Sequence, residues 1–160
     1  MTDSVLSCAA DPMGAAIYDF HKNGKADVLR VFSSQFEEDE IPVADLFREF
    51  EDMPELEQVA LEMASGKILD VGAGSGCHSM ALMEMGKKVK VVLGFNTQDE
   101  VFYEEEFRAL GCDVTVTTVD GSHGVKGFVT DVIREKALVF DYLYTCGPLP
   151  MLKALYDATE

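Results

Sequence analysis

Lys67-Ile68-Leu69-Asp70-Val71-Gly72-Ala73-Gly74-Ser75-Gly76-Cys77 is the stretch on which the reading of the fold turns. The apolar run from Ile68 to Val71 meets glycines at every second position, and apolar Met80, Ala81, Met83 and Met85 follow. That succession predicts a strand, a tight turn and a helix start, the opening of a βαβ unit. Glycine lets the backbone turn sharply and approach a ligand, because no Cβ intervenes. The helix start offers N–H groups and the positive end of its dipole to whatever occupies the loop. The spacing is G-x-G-x-G, not the G-x-G-x-x-G of the dinucleotide fingerprint. Asp70 stands two places before the first glycine, where a carboxylate can brace the loop through its amides or meet the amino group of a ligand. The candidate site is therefore Asp70, Gly72, Ala73, Gly74, Ser75, Gly76 and Cys77, with a nucleotide-type ligand set against a turn that serves packing alone.

Beyond this unit the rhythm repeats. Helix Cys77 to Met85 ends at Gly86, and Val89 to Phe95 is a near-continuous apolar strand suited to burial on both faces. Asn96-Thr97-Gln98-Asp99 can cap a helix from Glu100 to Leu110, and Asp113 to Val119 alternates as a third strand. After the turn Asp120 to Gly124 come a helix from Lys126 to Lys136, a fourth strand from Leu138 to Thr145, and a last helix opened by Gly147-Pro148-Leu149-Pro150. Alternating strands and helices predict an α/β, Rossmann-like, three-layer αβα sandwich with a parallel sheet of about four strands. The expected order is 3-2-1-4, with a ligand crevice between the first and fourth strands.

Upstream, the first 66 residues read as a helical extension of the same single domain. Asp11-Pro12 opens a helix that Asn23-Gly24 closes, and Ala26 to Phe32 makes a second. Glu37-Glu38-Asp39-Glu40 reads as a solvated loop. Val43 to Phe50 reads as a helix with Leu46, Phe47 and Phe50 inward. Another runs from Pro54 to Ala64 with Leu56, Val59, Ala60 and Met63 as its apolar stripe, and Ser65-Gly66 stops it.

Composition bounds the function. The 160 residues carry a net charge of −16, which argues against nucleic acid or an anionic membrane as partner. No apolar run approaches the roughly 20 residues of a membrane span, and Met1 to Cys8 lacks the basic region of a signal peptide. Cys8, Cys77, Cys112 and Cys146 form no C-x-x-C pair and read as reduced thiols of a cytoplasmic protein, with no metal framework; His21, His78 and His123 are equally scattered.

Two resemblances divide the chain. Asp11-Pro12-Met13-Gly14, Leu29-Arg30-Val31-Phe32, Asp45-Leu46-Phe47-Arg48, Met53-Pro54-Glu55-Leu56 and Leu69 to Ser79 resemble the N-terminal half of a bacterial class I S-adenosylmethionine-dependent methyltransferase, from about Asp11 to Gly86. In that family the glycine loop wraps the methionine part of the cofactor. From about Lys87 to Glu160, Leu93-Gly94-Phe95-Asn96-Thr97, Phe102 to Phe107, Thr117 to Gly127 and Tyr144 to Lys153 resemble the NAD-binding domain of the dihydroorotate dehydrogenase electron-transfer subunit, a ferredoxin-reductase-like family. There the Cys-Gly-Pro turn, here Cys146-Gly147-Pro148, lies near the nicotinamide, and the subunit also carries FAD and a [2Fe–2S] cluster.

The chain departs from both patterns. A methyltransferase places an acidic residue at the end of strand two for the ribose hydroxyls, and here Gly94-Phe95-Asn96-Thr97 holds none before Asp99. Asp120 stands either where an acidic residue meets the adenine amino group or simply in a turn. The FAD barrel and the cluster cysteines are absent, so neither FAD nor an iron–sulfur cluster is expected, and NAD is expected less than S-adenosylmethionine. Cys146 reads as a small buried residue, and His78 as a loop or surface residue. Tyr18, Phe20, Arg30, Phe32, Phe36 and Arg48 would either pack a core or cover the cofactor mouth. The expectation is an engineered chimera joined near Gly86 to Val89, without evolved turnover, retaining weak S-adenosylmethionine binding at the loop with Asn96 and Asp120 beside it. Its open sheet edge would invite self-association. A methyltransferase, an NAD-binding oxidoreductase fragment and a natural, unfamiliar Rossmann-like protein stand as alternatives.

Overall fold

A computed structural model describes residues 12–147 and 149–159. Asp11, Cys8, the Met1 to Cys8 start and Pro148 of the last turn lie outside them. The chain divides into two compact units, 1–48 and 49–160.

In the first unit, helix α1 (Pro12–Asn23) buries Ala15 and Ile17. Phe20 lies 4.6 Å, centroid to centroid, from Phe47. The expected second helix is not formed. Leu29–Val31 is a strand, β1, paired antiparallel with β2 (Asp39–Ile41), in the register Arg30↔Glu40. Arg30 reaches Glu40 at 3.4 Å and Glu38 at 3.9 Å, so half of the acidic run is strand rather than loop. Cross-strand opposite charges favour this pairing over an isolated turn of helix. Phe32 and Phe36 are exposed and pack no core. Val43–Phe47 is a 3₁₀ turn where a longer helix was expected.

The second unit opens with a 3₁₀ turn at Phe50–Asp52 and continues into helix α2 (Glu55–Met63). Its strands and helices then alternate: β3 (Ile68–Val71), α3 (Cys77–Glu84), β4 (Val89–Phe95), α4 (Glu104–Ala109), β5 (Asp113–Thr118), β6 (Val125–Lys126), α5 (Val129–Lys136), β7 (Tyr142–Thr145) and α6 (Leu149–Thr159). The sheet is parallel throughout, in the order β6-β5-β4-β3-β7. The expected 3-2-1-4 order is present as β5-β4-β3-β7, and the two-residue β6 adds a fifth strand at the far edge. The fourth strand is shorter than expected, because Leu138 to Phe140 precede the pairing that begins at Ile68↔Tyr142. The helix expected over Glu100 to Leu110 is split, with a 3₁₀ turn at Gln98–Glu100 and α4 starting only at Glu104.

Side chains alternate across the sheet as the two-residue period requires. Ile68, Val91, Leu93, Val114 and Val116 pack on one face with Leu61, Ala81, Leu82 and Phe107. Leu69, Val71 and Val92 pack on the other with Val129, Val132, Ile133 and Leu155. These are the two cores of a three-layer αβα sandwich, and Asp70 points to the first face.

The α2 stripe is turned the other way from expectation. Leu56 is 81% exposed and Val59, Ala60 and Met63 are exposed too, whereas Leu61 is 1% exposed. Polar ties hold this orientation. The Lys87 ammonium donates to the Leu61 and Glu62 carbonyls near the helix C-terminus, and the Tyr144 hydroxyl donates to Ala60 O at 2.7 Å. A cation at the end of a helix also complements its dipole.

Candidate functional site

The loop between β3 and α3 sits at the carboxyl end of the sheet, where the strand order reverses between β4 and β7. Gly72 donates to Val92 O at 3.0 Å, which extends the β3–β4 ladder into the loop. A Cβ on Gly72 would lie 2.8 Å from Cys146 O, so the loop and the segment after β7 approach backbone to backbone. Ala73 O accepts from Gly76 N at 2.8 Å and closes the turn. Gly76 then caps α3 in the left-handed region, φ 86°. Its carbonyl takes the first intrahelical bond, from Met80 N at 2.9 Å, so Cys77, His78 and Ser79 have amides with no acceptor inside the helix. Ser75 and Cys77 are buried.

Asp70 is 4% exposed, and its Oδ2 accepts from the buried Ser79 hydroxyl at 2.6 Å. The carboxylate thus ties β3 to the first turn of α3 behind the loop. Burial raises its pKa to about 6, against the Ser79 hydrogen bond and the nearby His78 charge, which lower it.

His78, expected as a loop or surface residue, lies in the first turn of α3 and meets Glu57 of α2 with Nε2–Oε2 at 2.9 Å. The hydrogen bond to Cys77 leads in raising His78 to about 9; burial opposes this, and Glu57 adds to it. Burial pushes the Cys77 thiol up, but His78 outweighs it and leaves the thiol below its ordinary value. The raised His78 value adds stability that is complete below about 6.5 and is lost as the pH climbs through about 9. Glu57→Gln is expected to lower the His78 pKa by about one unit, read from the imidazole proton shifts against pH. An unchanged titration would exclude the pairing.

Beside the loop, Asn96 donates from its backbone N (2.9 Å) and from Nδ2 (3.1 Å) to Oε2 of Glu100. Glu100 is 5% exposed, and its other oxygen, Oε1, is buried without a hydrogen-bond partner. Sequence reasoning found no carboxylate at the end of the second strand, yet one is there. The 3₁₀ turn at Gln98–Glu100 folds back and delivers it from four residues downstream. A buried carboxylate oxygen with no donor is costly, and such groups mark places where a partner belongs.

Asp120 is exposed, and its Oδ1 accepts from Ser122 N (2.9 Å) and Ser122 Oγ (2.6 Å), the geometry of a turn residue. Those bonds hold its carboxyl below the usual range. Cys146 is exposed rather than buried. Among the described residues no cluster of three His, Cys, Asp or Glu side chains is placed to hold a metal ion, and no helix is long and apolar enough to cross a membrane.

Comparison with known proteins returns both families. No protein-family model matches the chain. It is 53% identical over 94 residues to the dihydroorotate dehydrogenase B (NAD(+)) electron transfer subunit of Geobacillus sp. (strain WCH70), covering 56% of this chain and 36% of that protein. With the subunit of Fusobacterium nucleatum it shares 58% identity over 77 residues, 46% of this chain and 29% of that one. The chain thus spans about a third of the length of these curated relatives. Among solved structures, it is similar to the NADH-dependent reduced ferredoxin-NADP oxidoreductase, at TM-score 0.50 and 32% identity over 59% of this chain and 36% of that one. It is also similar to a SAM-dependent methyltransferase from Bacteroides fragilis in complex with S-adenosyl-L-homocysteine, at TM-score 0.48 and 42% identity over 88% of this chain and 45% of that one. The chain is Rossmann-like, with sequence likeness over about half its length to electron transfer subunits of dihydroorotate dehydrogenase B.

Proposed function

We propose that the chain is an engineered chimeric Rossmann-like binding module, without evolved turnover, whose loop from Gly72 to Cys77 takes S-adenosylmethionine weakly. The observation that carries this is the pair formed by the glycine loop and the orphaned Oε1 of Glu100, at the ends of adjacent strands. The loop amides and the α3 N-terminus suit the carboxylate of the methionine part. Glu100 Oε1 suits a donor such as a ribose hydroxyl, with Asn96 fixing the carboxylate. Asp70, committed to Ser79, braces the loop from behind rather than meeting the ligand. Asp120 serves its own turn. When bound, the sulfonium would supply an activated methyl group; the residues here supply binding and orientation only. A second reading, an NAD-binding fragment of an oxidoreductase, is favoured by the identity with the electron-transfer subunits and the same carboxylate would serve it.

Calorimetric titration with S-adenosylmethionine and, separately, NADH distinguishes the two. Saturable heat is expected with the methyl donor, weakened about tenfold to a hundredfold in Glu100→Gln, since a charged hydrogen bond contributes about 1.5–3 kcal/mol. The thermal melt of the variant should stay cooperative. Heat with NADH alone would replace the first reading by the second, and silence from both would overturn each.

A further inference from the structure

We propose a second ligand site at the opposite, amino-terminal end of the sheet, for a small organic carboxylate with an apolar body. A cavity of about 270 Å³ opens there, lined among others by Lys67, Lys88, Lys90, Leu138, Val139 and Phe140. Its size and its lining, apolar side chains beside three lysines and Asp113, suit a small ring compound that carries a charge.

The charges around it are unusual for this chain. Three of its 13 basic residues ring one cavity in a protein of net charge −16. Lys90 is neutralised by Asp113 at 2.6 Å. Among the described residues no carboxylate pairs with the ammonium of Lys67 or Lys88. Next to them Val139 is 72% exposed, although its neighbours Leu138 and Phe140 pack on the core. Exposed apolar surface beside unpaired cations matches a ligand that is apolar at one end and anionic at the other.

The rim is already fixed. Lys67 N donates to Asp141 Oδ2 at 2.8 Å, and Lys67 O accepts from Asp141 N at 2.8 Å. A Cβ on Gly66 would overlap the Asp141 carboxylate, so the chain passes here only as glycine. A pocket held this way needs little ordering to bind.

The geometry also selects the anion. In a parallel sheet with crossover helices, this end collects helix C-termini, whose dipoles oppose negative charge. A phosphate ester would carry more charge into that field and find no helix N-terminus to receive it, whereas a monoanionic carboxylate is satisfied by the two lysines. The site lies at the far end of the strands from the glycine loop, and its occupancy does not rest on the cofactor reading above.

Amide shift mapping of the full chain tests this, with 2-naphthoate as probe and 2-naphthamide as its neutral counterpart. Saturable shifts are expected at Lys67, Ile68, Val89 and Phe140, and none at Gly72 to Gly76, with a Kd of roughly 0.1–1 mM. The amide, and separately the double variant Lys67→Glu/Lys88→Glu, should weaken binding at least about tenfold, while Lys126→Glu on β6 leaves it unchanged. A melt of the double variant equal to the parent's confirms that the loss is local. Equal binding of acid and amide would overturn the proposal by reducing the cavity to an apolar groove. Shifts centred on the glycine loop, or no saturation by about 10 mM, would overturn it as well.

Discussion

Gly76→Ala is expected to destabilise the protein by about 2–5 kcal/mol, a large share of the 5–15 kcal/mol typical of a domain. Two costs combine. The residue sits at φ 86°, where a side chain costs about 1–2 kcal/mol. The new Cβ would also stand within 2.4 Å of the Phe107 ring. Phe107 is 2% exposed and packed in the core on that face of the sheet, so it cannot swing into solvent, and overpacking adds about 1–3 kcal/mol. Gly86→Ala separates the terms. Gly86 has φ 74°, but nothing lies within 4 Å of its would-be Cβ, so that variant carries the backbone cost alone. Urea melts of both should show a lower midpoint at unchanged slope, with Gly76→Ala clearly the worse. Equal losses would mean that the ring does not close over the loop.

Asp70 makes stability depend on pH in the direction opposite to most carboxylates. Its folded pKa of about 6 lies above the ordinary 3.8, so the native state holds the proton more tightly than the unfolded chain. The contribution is complete below about 3.8 and is lost as the pH rises through about 6. Two pKa units correspond to about 3 kcal/mol. Asp70→Asn removes this titration while keeping an oxygen for the Ser79 hydroxyl. Its stability relative to the parent should therefore improve between pH 4 and pH 7 by about 2–3 kcal/mol, on top of a pH-independent offset from the unpaired amide N–H₂. Urea melts of both proteins across that range report the difference directly, because every other titrating group is common to them. Parallel profiles would show that the carboxylate is better solvated than its burial implies.

The glycine loop, the parallel sheet and its strand order are legible in the sequence because they rest on local signals. Alternating or continuous apolar runs identify the strands, and the crossover rules leave few ways to arrange them. The failures have two causes, contacts between elements that periodicity does not relate and local turns that break it. Periodicity shows that α2 has a stripe at Leu56, Val59 and Met63, but Lys87, Tyr144 and His78 decide which side is covered. Leu29 to Val31 has enough apolar content for a helix, yet Arg30 finds Glu40 across a hairpin. Glu100 is not legible at the end of the second strand because a strand end is read residue by residue, and a 3₁₀ turn that folds back cannot be seen that way. The loop residues were found from their spacing; the carboxylate beside them required the fold.

The pairing of β3 with β7 joins Ile68 to Tyr142 across 74 residues of chain. Such a contact closes a long loop, and its entropy must be met before the contact contributes anything, which places it late in folding. The β3–β4 pair forms over a much shorter separation, Ile68 with Val89. The close backbone approach of Gly72 to Cys146 thus comes into being only with the last strand's arrival. That side of the glycine loop is therefore walled only in the finished chain, which alone presents the loop in its final form.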